Sequence, residues 1–195
     1  MAMGRPREFS CEKALDQALQ VFWRKGYEGA SMADLTEAMG ITKPSLYAAF
    51  GNKEELFRKA LDRYADGPGG YYREALNKPT AREVVTHVLY QAAEALTHPD
   101  NPGCLAVQGA LSCGDAAETI KQELMARRAK SETELRERFE RALAENDLPA
   151  GADAADLARY ITALLQGMAV QAAGGATHAQ LRGIAEMTLR NWPPA

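Results

Sequence analysis

Lys43, Ser45 and Tyr47 place one ammonium group and two hydroxyl groups within the short segment KPSLYAAF. Each of these groups can donate a hydrogen bond to a phosphate oxygen, and short side chains near a helix start reach base edges in a major groove. Lys53 adds a second cation further along the chain. These residue types predict recognition of a nucleic acid by contact, provided that their side chains share an exposed surface.

Two short helices joined by a glycine-containing turn would position these side chains. Ser31, with Asp34 three residues later, has the pattern of a capping box and predicts a helix start. Gly40 is placed to end that helix in the left-handed conformation. Thr42 then caps a second helix, and Pro44 falls in its first turn, where a missing N–H costs nothing. The spacing predicts a helix-turn-helix.

Apolar residues in the same segment are spaced so that the two helices can cross and pack on an earlier helix, which offers Phe22 and Trp23. These apolar residues are Leu35, Met39, Ile41, Leu46 and Phe50. When they face inward, the donors of the second helix remain outside, where a major groove can accept them. The alternative reading of this pattern alone is a helical hairpin buried in a core.

Several short runs in the first third of the chain have the residue types and the spacing that are typical of one protein family. They are Gly26-Tyr27, Ser31-Met32-Ala33-Asp34-Leu35, Lys43-Pro44-Ser45-Leu46-Tyr47, Phe50, Asn52-Lys53 and Glu54-Glu55-Leu56. With these runs, the chain resembles the TetR family of bacterial repressors over about residues 5–65. The resemblance implies an all-α protein of about nine helices. A three-helix DNA-binding head over residues 1–51 would precede a helical ligand-binding and dimerisation body over residues 52–195.

The resemblance also implies which side chains touch operator DNA, and an arginine-containing N-terminal arm and the helix cap extend that set. The expected DNA-binding residues are Arg5, Arg7, Ser31, Thr42, Lys43, Ser45, Tyr47 and Lys53. Ala48 and Ala49 stand where many relatives carry larger side chains, although alanine can still contact a thymine methyl group.

Composition excludes several classes of protein. The 195 residues are 46% hydrophobic and 25% charged, as in an ordinary globular protein. No apolar run approaches the roughly 20 residues of a membrane span, and the N-terminus lacks a secretory signal, so a cytoplasmic location is expected. Residues 1–63 carry 10 Lys and Arg against 9 Asp and Glu, whereas residues 64–195 carry 13 against 17. This difference fits DNA contact through a small surface.

The sequence contains none of the motifs that would indicate an enzyme: no glycine-rich phosphate loop, no paired His–Glu metal motif and no nucleophile elbow. We therefore expect neither catalysis nor a cofactor. The predicted function is a ligand-responsive regulator, most simply a repressor, which binds a palindromic operator as a homodimer and is released by an unknown small-molecule inducer.

Two amphipathic segments near the C-terminus, around residues 154–173 and 177–191, are expected to pair two chains across a two-fold axis. Palindromic operators need two heads about one helical turn apart, which favours a dimer over a monomer core. The expected interface residues are Leu157, Ile161, Leu164, Leu165, Met168, Leu181, Ile184, Ala185 and Leu189.

A ligand pocket is expected in the body, where an apolar cavity would meet a few polar groups. Its candidates are His87, Tyr90, Gln91, Cys104, Gln108, Cys113, Phe139, Tyr160 and Gln166. Cys104 and Cys113 also leave open a thiol- or metal-responsive regulator on the same scaffold, although their spacing matches no standard zinc pattern and buried structural cysteine is the commoner outcome. No metal ligands are assigned.

Overall fold

The protein is all-helical throughout the ranges that the computed structural model describes, residues 10–100, 102–112 and 117–193. This confirms the predicted fold class. No helix within those ranges is long and apolar enough to cross a lipid bilayer. The predicted site residues Arg5, Arg7 and Cys113 lie outside the described residues.

Ten helices follow one another along the described chain. They are α1 (Cys11–Gly29), α2 (Met32–Met39), α3 (Lys43–Phe50), α4 (Lys53–Asp66), α5 (Tyr71–Leu76), α6 (Ala81–Leu96), α7 (Leu105–Ser112), α8 (Glu118–Ala144), α9 (Ala154–Ala173) and α10 (His178–Arg190). The helix beyond the expected nine is α5. The glycine-rich break at residues 67–70 ends α4 rather than kinking it, and the Gly69 N–H closes the turn on the Tyr64 carbonyl at 2.8 Å.

Helix starts are fixed by reciprocal side-chain and backbone hydrogen bonds. Four capping boxes are formed, by Ser31 with Asp34, Asn52 with Glu55, Thr80 with Glu83 and Thr177 with Gln180. Each box satisfies two N–H groups that an isolated helix end leaves without partners. The start of each of these helices is therefore determined by residues that lie within three positions of one another.

Two apolar cores hold the helices together. The head core joins α1–α4 with α7 and the start of α8. The rings of Phe22 and Phe57 meet edge to face within it, with centroids 4.9 Å apart. The body core joins α5–α10 and contains Phe139 against Trp192, with ring centroids 5.6 Å apart. Because α4 packs inside the head core, the boundary between residues 51 and 52 stays a prediction.

A buried hydrogen bond ties the two cores to each other. The indole Nε1 of Trp23 in α1 donates to the Gly103 carbonyl oxygen, which lies just before α7, at 3.2 Å. The Trp23 ring also stands edge to face with Tyr64 in α4, with centroids 4.8 Å apart. The first helix of the head is thereby fixed to elements that continue into the body.

Candidate nucleic-acid interface

The turn between α2 and α3 fixes how these helices lie against each other. Gly40 has φ 65° and ψ 29°, the left-handed conformation that favours glycine. Its N–H donates to the carbonyl oxygens of Thr36 and Glu37, which closes α2. Thr42 then caps α3 by accepting a hydrogen bond from the Ser45 N–H at 3.4 Å. The connection spans only residues 40–42, so the direction in which α3 leaves α2 is well defined.

Apolar side chains hold the inner faces of α2 and α3. Leu35 and Leu46 are completely buried, Met39 and Phe50 are nearly so, and Ile41 packs at the margin of the head core. These are the residues to which the sequence assigned the packing. Burial of this set leaves the opposite face of α3 in solvent.

The outer face of α3 carries Lys43 and Tyr47, which are one helical turn apart. Lys43 is exposed, and 46% of the Tyr47 side chain is accessible. The Lys43 Nζ lies 6.0 Å from the centre of the Tyr47 ring, so the ammonium group and the phenol share one patch. Both can donate to phosphate or base-edge acceptors without rearrangement of the helix.

Thr42 and Ser45 form a hydroxyl pair at the start of α3. Their oxygens lie 2.9 Å apart, and Thr42 is exposed whereas Ser45 is half-buried. Ala48 and Ala49 are also exposed, so small side chains occupy the rest of the surface. The N-terminus of α3 therefore presents hydroxyl groups beside an ammonium group, with no acidic residue in its first turn.

Ser31 marks the start of α2 and is exposed. Its hydroxyl donates to Asp34 Oδ2 at 2.8 Å, and Lys25 Nζ lies 2.6 Å from the other Asp34 oxygen. These contacts, the lysine first, hold the pKa of the Asp34 carboxyl well below its usual range. The Asp34 carboxylate is thus ionised, and its charge is balanced by the Lys25 ammonium group. The ion pair fixes α2 to α1.

Lys53 begins α4 and is placed differently from the donors of α3. Its Nζ stands over the Tyr27 ring, 4.5 Å from the centroid, and the residue is half-buried. Burial lowers the pKa of Lys53, and the nearby Glu28 carboxylate opposes that shift. An aromatic platform therefore holds the lysine at the edge of the head, and its contact with DNA stays a proposal.

A second candidate site lies in the body, where α4–α9 meet around a cavity of about 350 Å³. Two of the predicted pocket residues, Cys104 and Gln166, line it. The Tyr64 hydroxyl donates to Cys104 Sγ at 3.3 Å. Burial raises the pKa values of Tyr64 and Tyr71, so both phenols stay neutral and can act as donors.

The other described pocket candidates do not line this cavity. They are His87, Tyr90, Gln91, Gln108, Phe139 and Tyr160. Phe139 is completely buried in the body core, the Tyr90 ring lies under the Arg182 guanidinium group, and Gln91 is exposed. Helical periodicity identifies a buried face, but it does not reveal where packed helices separate enough to leave space.

The lining residues that were not expected from the sequence include Tyr64, Tyr71, Tyr72 and Arg128. A signal was present for the tyrosines, because all three flank the glycine-rich break at residues 67–70. Arg128 gave no comparable signal, since it lies in a charged stretch of α8 that has the composition of a solvated helix face.

The residues expected at a dimer interface fall into two groups. Ile161, Met168, Leu181 and Ala185 are buried in the body core of this chain, where they stabilise the protomer rather than face a second one. The second group is half-buried and consists of Leu157, Leu164, Leu165, Ile184 and Leu189. Leu165 also lines the cavity.

The same two C-terminal helices also carry exposed apolar side chains outside the expected set of interface residues. Tyr160 and Val170 on α9 and Met187 on α10 are 47%, 49% and 63% exposed. Gly167 and Gly183 have open space where a Cβ atom would stand. We group Tyr160, Gly167, Val170, Gly183 and Met187 under the name C-terminal apolar face.

Two family models match the chain in sequence. The model for "Bacterial regulatory proteins, tetR family" matches residues 14–60. The model for "Tetracyclin repressor-like, C-terminal domain" matches residues 81–185. Together they cover the candidate interface and most of the body.

Similar proteins of known sequence or structure include repressors and an operator complex. The HTH-type transcriptional repressor ComR of Escherichia coli (strain K12) is 35% identical over 193 residues, 97% of this chain and 92% of ComR. The repressor BdcR of the same organism is 34% identical over 139 residues, 64% of this chain and 70% of BdcR. A cysteine mutant of the TetR family regulator CifR, complexed with 26-bp double-strand operator DNA, is 43% identical with a TM-score of 0.91. That match covers 97% of this chain and 100% of CifR.

Proposed function

The chain belongs to the TetR family of bacterial transcriptional regulators and not to a class of enzymes, and from this premise we propose a ligand-released repressor. In this proposal a homodimer binds a palindromic operator in the cytoplasm and leaves it when a small molecule occupies the inner cavity. The observation that carries the proposal is the outer face of α3, where Lys43 and Tyr47 lie exposed beside the hydroxyl groups of the helix start.

The proposed contacts divide into those that position the head and those that read sequence. Lys43, Ser31 and the free N–H groups at the starts of α2 and α3 would hold phosphates. Tyr47, Ser45, Ala48 and Ala49 would face base edges or thymine methyl groups. Lys53 would move from the Tyr27 ring to reach a phosphate at the edge of the site.

Dimerisation is proposed through the C-terminal apolar face. Exposed Tyr160, Val170 and Met187 lie on one pair of helices, and Gly167 and Gly183 permit a close helix approach. A second copy would bury this face in a four-helix arrangement, as isologous interfaces do. The head would then occur twice on one assembly, which matches the symmetry of a palindrome.

Inducer release is proposed to act through α4. This helix lines the cavity with Leu61 and Tyr64 and packs against α1 in the head core. A ligand that binds better when α4 is displaced would favour heads at the wrong spacing, and only such differential affinity can shift the equilibrium. The Trp23–Gly103 hydrogen bond gives the same movement a second route to the head.

The DNA-binding part is tested by selection from a randomised duplex library with the full chain. We expect a palindromic consensus and an affinity for it roughly 10³-fold or more above that for a scrambled duplex. Lys43→Ala and Tyr47→Phe should weaken binding while leaving the helical content unchanged. Selection without any sequence preference would contradict the proposal.

The dimer is tested with Met187→Glu, which places a charge on the C-terminal apolar face. Met125→Glu is the matched control, because Met125 is 50% exposed on α8, outside that face. Sedimentation of the first variant should show a shift toward monomer, and the control should sediment as the wild type does. Equal sedimentation of both variants as dimers would place the interface elsewhere.

A second candidate function, thiol-dependent release, is favoured by one observation. Cys104 lines the cavity and accepts a hydrogen bond from the buried Tyr64 hydroxyl. Oxidation or alkylation of this sulfur would disturb both Tyr64 and the adjoining α4. Metal sensing has less support, because the described residues contain no group of three or more His, Cys, Asp or Glu side chains arranged for a metal. Cys104→Ser should abolish release by a thiol reagent without loss of operator binding, and unchanged release would exclude this candidate.

A further inference from the structure

The wall of the inner cavity contains one cation without a counter-charge. Arg127 pairs with Asp62 at 2.8 Å and with Glu123 at 2.9 Å. Arg73, also in the wall, faces Asp66 at 3.0 Å. Arg128, by contrast, forms no ion pair with any residue in the described part of the chain, and its Nε is shielded from solvent without a hydrogen-bond partner. The cavity therefore holds about one uncompensated positive charge.

A guanidinium N–H that is shielded from water and left without an acceptor is unfavourable, and folded proteins rarely retain one without a reason. Arginine binds planar carboxylates with two parallel hydrogen bonds, which makes a carboxylate the natural acceptor. Lys130 lies in the same wall, but it is 77% exposed and faces Glu134 at 3.8 Å. A single free cation beside Glu134 suits a monoanion better than a phosphate dianion.

The rest of the cavity is suited to an uncharged, partly aromatic body. Leu61, Leu96, Val107 and Leu165 contribute apolar wall. Tyr71 also lines the cavity, and its hydroxyl forms no hydrogen bond with the residues that the structure describes, unlike those of Tyr64 and Tyr72. The volume of about 350 Å³ lies at the small end of ligand pockets, roughly 300–1,000 Å³.

We infer that the inner cavity binds a small amphipathic carboxylic acid, whose carboxylate pairs with Arg128 and whose apolar body lies among the tyrosines and aliphatic side chains. This inference rests on the proposed function, in that the bound acid would be the inducer. The specificity for the anion then comes from one residue, Arg128. The Tyr71 hydroxyl would donate a further hydrogen bond to the bound acid.

Matched acid and amide pairs test the inference, because each pair shares its shape and differs in charge. The probes are phenylacetate with phenylacetamide, hexanoate with hexanamide, and indole-3-acetate with indole-3-acetamide. Calorimetric titration into the full-length protein should show at least one acid that binds on the order of 10- to 100-fold more tightly than its amide, the range expected for a charge-assisted contact. If no acid binds more tightly than its amide, the inference is wrong.

Substitution locates the effect. Arg128→Gln should remove the preference for the acid, and Arg128→Lys should restore part of it. Arg136→Gln is the control on the same helix, since Arg136 pairs with Glu140 outside the cavity. If Arg128→Gln retains the preference in a variant whose helical content and melting temperature match those of the control, another residue holds the anion.

Operator binding by the same preparations separates this inference from the proposed function. If the protein binds its selected operator but does not distinguish acids from amides, the carboxylate specificity fails and the repressor proposal stands. If acids bind through Arg128 but the protein selects no operator, the repressor proposal fails and the acid site stands.

Discussion

The head and the body of this molecule differ in how completely their shielded polar side chains are paired. In the head, the side chains at the starts of α2 and α3 are paired within the chain, through Ser31, Asp34 and the Thr42–Ser45 pair. In the body, the described residues include shielded side-chain nitrogens without hydrogen-bond partners, in His87, Arg128 and Arg138. The side chains at the helix starts of the head are therefore paired within the chain, whereas Arg128, the one of these three residues that lines the cavity, keeps a shielded nitrogen without a partner among the described residues.

The two regions also differ in how they hold cations. Lys43 is exposed in the head, where it can meet a strand of phosphates at little desolvation cost. Arg138 is 4% exposed in the body and donates to the carbonyl oxygens of Lys78 and Pro79 at 2.9 and 2.8 Å. Burial lowers the pKa of Arg138, yet an arginine stays charged at any physiological pH. Arg138 thus makes internal contacts with a buried charge, whereas Lys43 keeps its charge at the surface.

The largest effects are expected from paired truncations of the two cores. Phe22→Ala and Phe139→Ala each remove a completely buried ring, and each should lower the free energy of unfolding by about 3–5 kcal/mol. If the regions are distinct, Phe22→Ala weakens operator binding at a temperature where both variants remain folded, and Phe139→Ala leaves it nearly intact. Chemical denaturation and fluorescence anisotropy measure the two quantities. An equal loss of DNA affinity in both would make head and body one functional unit.

The connection between the regions is tested by Trp23→Phe, which keeps most of the ring and removes the donor to the Gly103 carbonyl. A buried acceptor without its donor should lower stability by about 1–3 kcal/mol. We also expect a smaller release of operator at saturating ligand, because one route from cavity to head is cut. Trp192→Phe serves as control, since this buried tryptophan packs against Phe139 in the body core and has no part in the contact with Gly103. Full release in Trp23→Phe would leave α4 as the sole connection.

The turn of the head is tested by Gly40→Ala. Gly40 has φ 65°, and the space around its missing Cβ is open, so the expected loss of about 1–2 kcal/mol comes from backbone conformation alone. Gly151→Ala is the control, because the space there is also open but the backbone is not left-handed. Thermal unfolding should separate the two variants, and identical melting temperatures would contradict the left-handed turn.

A smaller effect concerns pH. The contacts of Asp34 with Lys25 and Ser31 hold its pKa below the ordinary value of 3.8, so they stabilise the head above that value. This stabilisation should be lost progressively as the pH falls below 3.8 toward the folded-state pKa. Asp34→Asn should remove this part of the acid dependence, which unfolding curves at successive pH values would show. If the loss of stability at low pH were the same in Asp34→Asn and wild type, the ion pair would contribute nothing to the stability of the head in solution.

Local sequence was sufficient for the head because its determinants are short-range. Ser31 with Asp34, the glycine at position 40 and the proline at position 44 act within a few residues of one another, and the positions of Leu35 and Leu46 follow from helical spacing. In the body, by contrast, long-range packing determines which residues lie in the core, at the surface or at the cavity. Nothing near Ile161 or Met168 distinguishes a residue of the protomer core from one at an interface, and nothing near Arg128 reveals that its partner is missing.

The most direct test of the central claim, that the outer face of α3 holds DNA, is the salt dependence of binding to the selected operator by wild type and Lys43→Ala. We expect the slope of log K against log salt to fall in magnitude by about one for each bound head in Lys43→Ala. Lys130→Ala, a body lysine that is 77% exposed, should leave the slope unchanged. Equal slopes for wild type and Lys43→Ala would contradict the claim.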